Sequence, residues 1–181
     1  MLEKDPHKHI SKFLSLVLRH QPEKIGITLD AQGWVDIGTL ISAYNKHRKD
    51  TLTRELLNTV VETNNKKRFA IDGNKIRASQ GHSVNVDLGY KEQVPPDTLY
   101  HGTVSKFLDP IYKEGLIKGT RHHVHLSVDK ETAINVGSRR GKPIVLSIDA
   151  KSMYENGFKF FVSDNGVWLV DNVPTDYILI L

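Results

Sequence analysis

The sequence predicts an α+β protein built from two lobes. Apolar residues recur at helical spacing through the first sixty positions, and a β-hairpin pattern follows them. Short apolar strands then alternate with short helices through the second half of the chain. At 181 residues the chain is long enough for two small domains, each with its own core. We therefore expect a helical lobe with a hairpin joined to a lobe organised around β-sheet.

Three helices are predicted in the first lobe. Apolar residues at i, i+3, i+4, i+7 and i+8 from Ile10 form the buried stripe of the first helix, and Pro22 ends it. Asp36 is predicted to cap the second helix. Thr51 or Thr53 is predicted to cap the third.

A hairpin follows the third helix. The segments RFAI (68–71) and KIRA (75–78) flank the turn residues Asp72, Gly73 and Asn74, as expected for two antiparallel strands. Three helices followed by a hairpin is the element order of a winged-helix module, which commonly binds nucleic acid. The sequence therefore predicts a winged-helix lobe over residues 1–94.

The second lobe is predicted to span residues 95–181 and to begin at Pro95-Pro96, a pair that favours an extended connection. Two helices are expected, over VSKFLDPIYKEGL and KETAINVG, each closed by glycine. We expect TLYHGT to be a strand followed by a loop. The other predicted strands are HVHLS, PIVLSIDA, FKFFVS, GVWLVD and YILIL.

The net charge of +4 is unevenly distributed between the two halves. Residues 1–96 hold 15 Lys and Arg against 11 Asp and Glu, whereas residues 97–181 hold 10 against 10. The excess indicates that a polyanion contacts the first lobe, although a charge of this size is also ordinary variation among soluble proteins.

The composition also bears on location and partners. The chain has no cysteine, which excludes disulfides and thiolate metal sites and fits a reducing compartment. It shows neither an apolar signal-peptide core near Met1 nor a run of about 18 apolar residues. We therefore expect a cytoplasmic protein with no membrane partner, and a monomer by default.

Several common catalytic motifs are absent from the sequence. It contains no phosphate-binding P-loop, no Rossmann glycine motif and no serine-hydrolase nucleophile elbow. The unusual feature is instead RHHVHLS (121–127), in which His123 and His125 occupy alternate positions of a predicted strand. Together with His101 or His82 they could bind zinc, but such pairs more often pack or line a pocket, and no H-E-x-x-H accompanies them.

Six segments taken in order resemble one family: LRH (18–20), KKRF (66–69), IRASQGHS (76–83), LYHGT (99–103), HHVHLS (122–127) and GSRRGKP (137–143). The family is the NAD-dependent RNA 2′-phosphotransferases of the tRNA-splicing (KptA) type. The resemblance covers nearly the whole chain, and the combination is far more specific than any of its parts. It implies an N-terminal winged-helix RNA lobe and a C-terminal lobe of the ADP-ribosyltransferase fold with a mixed β-sheet.

The resemblance implies a two-step reaction with NAD⁺ as co-substrate and no metal. An internal RNA 2′-phosphate attacks the nicotinamide ribose and expels nicotinamide. The adjacent ribose 2″-hydroxyl then attacks the phosphate. The products are RNA with a 2′-hydroxyl and ADP-ribose 1″,2″-cyclic phosphate.

The family's Arg-His-Arg-Arg set corresponds to Arg19, His20, Arg68 and Arg139, with Arg139 a better match than Arg140. Guanidinium groups suit a phosphate dianion because they donate bidentate, charge-assisted hydrogen bonds. His20 is expected to hydrogen-bond the phosphate and to protonate the departing RNA 2′-oxygen. Since these residues come from both predicted lobes, we expect the active site in the cleft between the lobes.

The resemblance assigns NAD⁺ binding to the YHGT and HVHLS segments. The residues implied are His101, Gly102, Thr103, His125 and Ser127. Gly102 is expected to let the backbone approach the nicotinamide amide closely. Protein-modifying members of the wider fold carry a glutamate on a later strand, where this chain has Val167. A phosphate nucleophile is already anionic and needs no such base.

Two other hypotheses remain open from the sequence. A winged-helix nucleic-acid binder without catalysis would not need the YHGT and HVHLS segments. A metal hydrolase with histidine ligands would lose activity to a chelator.

Overall fold

A computed structural model describes residues 6–181, and the chain divides into two compact units. The first unit ends at Gly89 and the second spans Tyr90–Leu181. This division lies a few residues before the border expected from the sequence. The assignment of residues 1–94 to RNA binding and of 95–181 to NAD⁺ binding stays a prediction.

The first unit contains three helices, as predicted: α1 (Lys8–Arg19), α2 (Ile37–His47) and α3 (Arg54–Glu62). A side chain caps two of them. The Asp36 carboxylate accepts from the Thr39 N–H at 2.8 Å, and the Thr53 hydroxyl accepts from the Leu56 N–H at 3.2 Å. Of the two threonines proposed for α3, Thr53 is therefore the cap.

The predicted hairpin is also present. It consists of β2 (Phe69–Asp72) and β3 (Lys75–Ala78), which pair antiparallel, and the short strand β1 (Val35–Asp36) adds to the other side of β3. Gly73 has φ 55° in the turn, a conformation that glycine adopts without strain. The helices and this sheet enclose one core. Its fully buried members include Leu14, Val17, Leu18, Ile37, Leu40, Tyr44, Leu57 and Ile76.

The second unit contains three helices and eight strands within the described residues. The helices are α4 (Leu108–Glu114), α5 (Lys130–Gly137) and α6 (Ala150–Glu155). The strands are β4 (Thr98–Thr103), β5 (Leu116–Ile117), β6 (Val124–Leu126), β7 (Ile144–Asp149), β8 (Phe160–Val162), β9 (Trp168–Val170), β10 (Asn172–Val173) and β11 (Ile178–Ile180).

These strands form three small sheets. Two have three strands, in the orders β4-β7-β11 and β6-β9-β8, with β7 and β9 as the central strands. The third pairs β5 with β10. Every pair of these strands is antiparallel in the part of the chain that the structure describes. The expectation of a mixed sheet was therefore wrong in its strand directions, whereas the α+β class is confirmed.

Three local features also differ from the expectation. TLYHGT is strand throughout, because β4 pairs with β7 as far as Thr103, opposite Ile144. The helix expected over residues 104–116 is a 3-10 turn, Ser105–Phe107, followed by the shorter α4. Helix α6 was not expected, although Asp149 caps it by accepting from the Ser152 N–H at 3.0 Å.

Within residues 6–181, no helix is both long enough and apolar enough to cross a membrane.

Candidate active site

Arg19 and His20 lie at the C-terminal end of α1. Arg19 is the last helical residue, and the His20 N–H donates to the Leu16 carbonyl at 3.0 Å. The Arg19 carbonyl accepts from the N–H groups of Ser83 and Val84, at 2.9 and 3.3 Å. The segment that follows β3 thus donates to a carbonyl that would otherwise have no hydrogen-bond partner at the helix end. It fixes the backbone that carries both predicted side chains.

Arg68 lies in the turn between α3 and β2, and Asn64 organises this turn. The Asn64 side chain is buried and donates to the Ser11 hydroxyl of α1 at 2.9 Å. Its carbonyl oxygen accepts from the N–H groups of Lys66 and Arg68, at 3.2 and 3.4 Å. One neutral amide therefore ties the backbone of Arg68 to α1.

Ser79 holds the same turn from the other side. Its N–H donates to the Arg68 carbonyl at 2.8 Å, and its hydroxyl donates to the Lys67 carbonyl at 3.0 Å. Lys67 has φ 43°, which is unusual for a residue with a side chain and needs such support. Ser79 and Ser83 both belong to the IRASQGHS segment, which therefore anchors the backbone at Arg68 and at Arg19.

In the second unit, the YHGT and HVHLS segments lie side by side. Tyr100 and Ser127 exchange two backbone hydrogen bonds, each of 2.8 Å, which link β4 to the end of β6. Nδ1 of His101 lies 3.0 Å from the backbone carbonyl of His125. The residues assigned to NAD⁺ by resemblance on these two segments are thus brought together.

The environment of His101 favours the neutral imidazole. Burial lowers the pKa of His101 below 6.5 and the nearby charge of Arg140 lowers it further, while the hydrogen bond to His125 opposes this shift. Because a carbonyl oxygen can only accept, Nδ1 carries the proton. Nε2 of the neutral ring is consequently an acceptor, suited to a hydroxyl or an amide N–H.

Gly102 is required for helix packing. A Cβ at this position would lie 1.7 Å from the Ala133 carbonyl oxygen of α5, and one at Gly137 would lie 2.9 Å from the Thr103 carbonyl oxygen. The backbones of α5 and β4 therefore approach more closely than side chains allow. The close approach expected at Gly102 is therefore observed for the backbone of α5, and the approach of a ligand there stays a prediction.

This packing also positions Arg139. Residues Ser138–Arg140 form a 3-10 turn directly after α5, so Arg139 follows the contact between Gly137 and Thr103 by two residues. The side chain of Arg139 is exposed. The turn continues the helix without a break in the chain.

His123 lies one residue before β6, and its ring packs against Phe161 with 5.6 Å between centroids. Burial lowers the pKa of His123, and the charges of His122 and Lys118 act in the same direction. Among residues 6–181, no group of three or more His, Cys, Asp or Glu residues is arranged to hold a metal ion.

The chain was compared with known proteins. The model of the RNA 2′-phosphotransferase, Tpt1/KptA family matches residues 5–172. The chain belongs to this family.

Curated relatives agree along nearly the full length. The protein of Flavobacterium johnsoniae named "Probable RNA 2′-phosphotransferase" is 58% identical over 173 residues, covering 94% of each chain. Proteins of the same name from Rhodopirellula baltica and Streptomyces coelicolor are 59% and 53% identical, each over 93% of this chain and 92% of the relative. The family expected from the sequence is confirmed, and with it the prediction of an enzyme.

Arg121 was not singled out from the sequence. Nη1 of Arg121 lies 3.5 Å from Nδ1 of His125. Arg121, His123 and His125 occupy alternate positions in RHHVHLS, so the spacing that drew attention to the histidines could also have indicated the arginine. Ser83 and Asn64 were passed over too, and their roles depend on contacts across the fold that spacing does not reveal.

Proposed function

We propose that this chain removes an internal 2′-phosphate from RNA by transferring it to NAD⁺. The observation that carries the proposal is the pair of hydrogen bonds between Tyr100 and Ser127, which joins the YHGT and HVHLS segments. Family membership supports the phosphotransferase class. The assignment of NAD⁺ rests on the sequence resemblance and on the chemistry of these segments.

The first unit supplies groups suited to an RNA phosphate. Arg19 and Arg68 offer guanidinium groups to its oxygens. His20 donates a hydrogen bond to the phosphate and protonates the departing RNA 2′-oxygen. The support is that the backbones of all three are anchored by one segment, through Ser79 and Ser83.

The second unit supplies groups suited to NAD⁺. We assign the nicotinamide ribose and amide to His101, Gly102, Thr103, His125 and Ser127. The neutral His101 ring suits this task, because Nε2 can accept from a ribose hydroxyl without adding charge beside the glycosidic bond. Arg139 follows the same packed helix and is assigned to the phosphate.

In the first step, an oxygen of the RNA 2′-phosphate bonds to C1″ of the nicotinamide ribose. The bond from C1″ to nicotinamide breaks, and nicotinamide leaves with the electron pair. In the second step, the 2″-oxygen releases its proton to solvent and attacks phosphorus, and the bond from phosphorus to the RNA 2′-oxygen breaks. His20 protonates that oxygen, and the arginines stabilise the charge on the pentavalent phosphorus.

No carboxylate base is needed for the first step. Val167 lies just before β9, where its N–H donates to the Ser163 hydroxyl at 3.0 Å. The protein-modifying members of the wider fold have a glutamate near this point. An anionic phosphate attacks without being deprotonated, which is consistent with valine here.

We also infer which known fold each of the two units has. The order of α1, α2, α3 and the β2–β3 hairpin supports a winged-helix lobe. The second unit, in which β4 and β6 carry the proposed NAD⁺ residues, is assigned to the ADP-ribosyltransferase fold.

One assay tests the proposed function. The protein is incubated with a 2′-phosphorylated oligonucleotide and NAD⁺ in EDTA, and nicotinamide release and phosphate loss are both followed. We expect the two to occur in equal amounts, and no reaction without NAD⁺. Absence of turnover under these conditions would refute the proposal, and turnover in EDTA argues against a metal hydrolase.

Variants test the residue assignments. Arg68→Ala and Arg139→Ala should each lower kcat by about 100-fold or more, the usual cost of removing one donor to a developing charge. Lys75→Ala and Lys113→Ala remove exposed cations from the same two units and should leave kcat unchanged. Full activity in either arginine variant would refute that assignment and leave the reaction itself in place.

A further inference from the structure

Two helix ends of the first unit bring together a set of exposed basic side chains. Helix α1 begins at Lys8, helix α2 ends at His47, and these ends are in contact. The Phe13 ring of α1 packs against the Tyr44 ring of α2 with 5.5 Å between centroids, and the guanidinium carbon of Arg48 lies 4.8 Å from the centre of the Phe13 ring. The set, here called the basic surface, consists of the exposed residues Lys8, Lys12, Lys46, Arg48 and Lys49.

The two lysines of α1 share one face of that helix. Since successive residues of an α-helix are turned by about 100°, Lys8 and Lys12 lie about 40° apart around the axis. His9, next to Lys8, connects α1 to the segment after α2, because its Nε2 lies 3.2 Å from a carboxylate oxygen of Asp50. The lysines of α1 are therefore neighbours of the basic residues at positions 46–49.

The basic surface accounts for the excess positive charge of the chain. Without its five residues and Asp50, the sequence has equal numbers of basic and acidic residues. The Asp50 carboxylate is already engaged, since it accepts from the Tyr44 hydroxyl at 2.5 Å and lies 3.4 Å from Nε of Arg48. Within residues 6–181, no carboxylate oxygen lies within 4.0 Å of the four lysines. Their charges therefore face solvent and attract a polyanion.

Helix α3, the usual recognition helix of a winged-helix module, is less suited to a phosphate backbone. Its exposed charged residues are Glu55 and Glu62. Its one basic residue, Arg54, is half-buried and donates to the Asn74 side chain at 2.8 Å and to the Gly73 carbonyl at 3.2 Å. A polyanion is therefore repelled by the exposed face of α3 and attracted to the basic surface.

The basic surface lies at the opposite end of α1 from Arg19 and His20. The helix has 12 residues from Lys8 to Arg19, so its two ends are about 16 Å apart at 1.5 Å per residue. A stacked strand advances about 3.4 Å per nucleotide, so this distance corresponds to about five nucleotides. An RNA with its 2′-phosphate at Arg19 therefore reaches the basic surface through the nucleotides that flank this phosphate.

We propose that the basic surface binds the phosphate backbone of the RNA nucleotides that flank the 2′-phosphate. This inference rests on the proposed function, which places the reacting 2′-phosphate at Arg19, His20 and Arg68. Lysine suits this task, because an ammonium group on a flexible stem attracts a phosphate without reading the base sequence. The enzyme should therefore bind long RNA more tightly than short RNA, whatever its sequence.

Substrate length separates the basic surface from the reacting site. KM would be measured for a 2′-phosphorylated dinucleotide and for a 2′-phosphorylated oligonucleotide of about 20 nucleotides, which is longer than the span of α1. Two double variants are compared, Lys8→Gln with Lys12→Gln, and Lys46→Gln with Lys49→Gln. Each should raise KM for the long substrate by about tenfold in about 0.1 M salt. KM for the dinucleotide and kcat for both substrates should stay unchanged.

The salt dependence of binding provides a second measurement, made by fluorescence anisotropy without NAD⁺. The logarithm of the binding constant falls with the logarithm of the salt concentration, with a slope of about 0.7 for each phosphate contacted on a single strand. Each double variant should therefore reduce the slope for the long oligonucleotide by about 1.4. The same oligonucleotide without its 2′-phosphate should show the same reduction, since the proposed contacts are to the backbone.

A matched control removes the same charge elsewhere. Lys113→Gln with Lys151→Gln changes two exposed lysines of the second unit and should bind the long oligonucleotide like the wild type. Equal melting temperatures would show that all the variants are folded.

Several results would overturn the inference. Unchanged affinity and salt slope in both double variants would do so, and so would an equal loss of affinity in the control, which would indicate an effect of net charge alone. An equal rise of KM for the dinucleotide would place the lysines at the reacting site instead. Binding to phosphatidylserine vesicles that is lost in the double variants, with oligonucleotide binding unchanged, would assign the surface to a membrane. If the double variants lose oligonucleotide affinity but the wild type turns over no RNA, the proposed function fails and the basic surface stands.

Discussion

Nδ1 of the His20 ring lies 2.8 Å from the hydroxyl oxygen of Ser83, 63 residues further along the chain. Ser83 also donates its backbone N–H to the Arg19 carbonyl at 2.9 Å. One serine thus holds both the helix end and the ring at that end. A hydroxyl can donate to a neutral imidazole and accept from an imidazolium, so the contact persists when His20 gains or loses a proton.

Ser83→Ala should lower kcat by about fivefold and leave KM for NAD⁺ unchanged. The reason is that the ring loses the hydrogen bond that orients Nε2, and an average neutral hydrogen bond contributes about 1 kcal/mol. Steady-state kinetics with the 2′-phosphorylated oligonucleotide would measure this. Ser83→Thr keeps the hydroxyl and should restore most of kcat, whereas Ser105→Ala, an exposed serine of the second unit, should have no effect. Wild-type kcat in Ser83→Ala would contradict the prediction.

Asn64→Ala should lower the free energy of unfolding of the first unit by about 2–3 kcal/mol. The substitution removes the donor to the Ser11 hydroxyl and the acceptor for the N–H groups of Lys66 and Arg68. Buried polar groups are costly to leave without a hydrogen-bond partner. Urea denaturation followed by circular dichroism would measure it. Asn65→Ala changes the exposed neighbour and serves as the matched control. Equal stability of the two variants would show that the Asn64 network is not important.

Gly102→Ala should lower the stability of the second unit by about 3 kcal/mol or more, or prevent its folding. The added methyl would meet the Ala133 carbonyl oxygen at 1.7 Å, and two backbones must move to relieve that contact. Thermal unfolding would report the change. Gly38→Ala is the control, because its methyl would meet only a side-chain oxygen of Asp36 at 3.1 Å. Wild-type melting of Gly102→Ala would refute the close approach of α5.

The stability of the second unit should fall as the pH drops below about 6.5. Burial and Arg140 lower the pKa of His101 in the folded chain, so the unfolded chain binds a proton first as the pH falls. The stability contributed by the neutral ring is therefore complete above pH 6.5 and is lost below it. Urea denaturation at pH 7.5, 6.5 and 5.5 would show the decline.

His101→Gln should make this pH dependence shallower without abolishing it, since the pKa of His123 is also lowered by burial. His47→Gln, at an exposed position of α2, should leave the slope unchanged. An identical slope in the wild type and His101→Gln would show that His101 does not contribute.

Local signals in the sequence predicted most of the first unit. The capping residues Asp36 and Thr53 and the Gly73 turn act through neighbouring backbone, so their effects can be read from adjacent positions. The two-residue strands β5 and β10 could not be predicted this way, because each exists only through pairing with the other, more than fifty residues away. Helix α6 is also too short to show a clear apolar stripe.

The arrangement of the segments at the candidate site could be anticipated from the sequence only in part. The resemblance brought YHGT and HVHLS to attention, and the structure shows the two segments hydrogen-bonded to each other. The resemblance could not show that Gly102 accommodates Ala133 of α5, since no local sequence pattern reveals which backbone passes over a glycine. The neutrality of His101 likewise depends on burial and on Arg140, which are properties of the folded chain.

The groups that fix the backbone of the proposed phosphate ligands are Asn64, Ser79 and Ser83, and none of them carries a charge. Ions in solution screen charged partners strongly and neutral hydrogen bonds hardly at all. Rising ionic strength should therefore weaken the attraction of RNA to Arg19 and Arg68 while leaving the placement of those residues intact. The enzyme should lose affinity for its polyanionic substrate in concentrated salt and keep its turnover rate once that substrate is saturating.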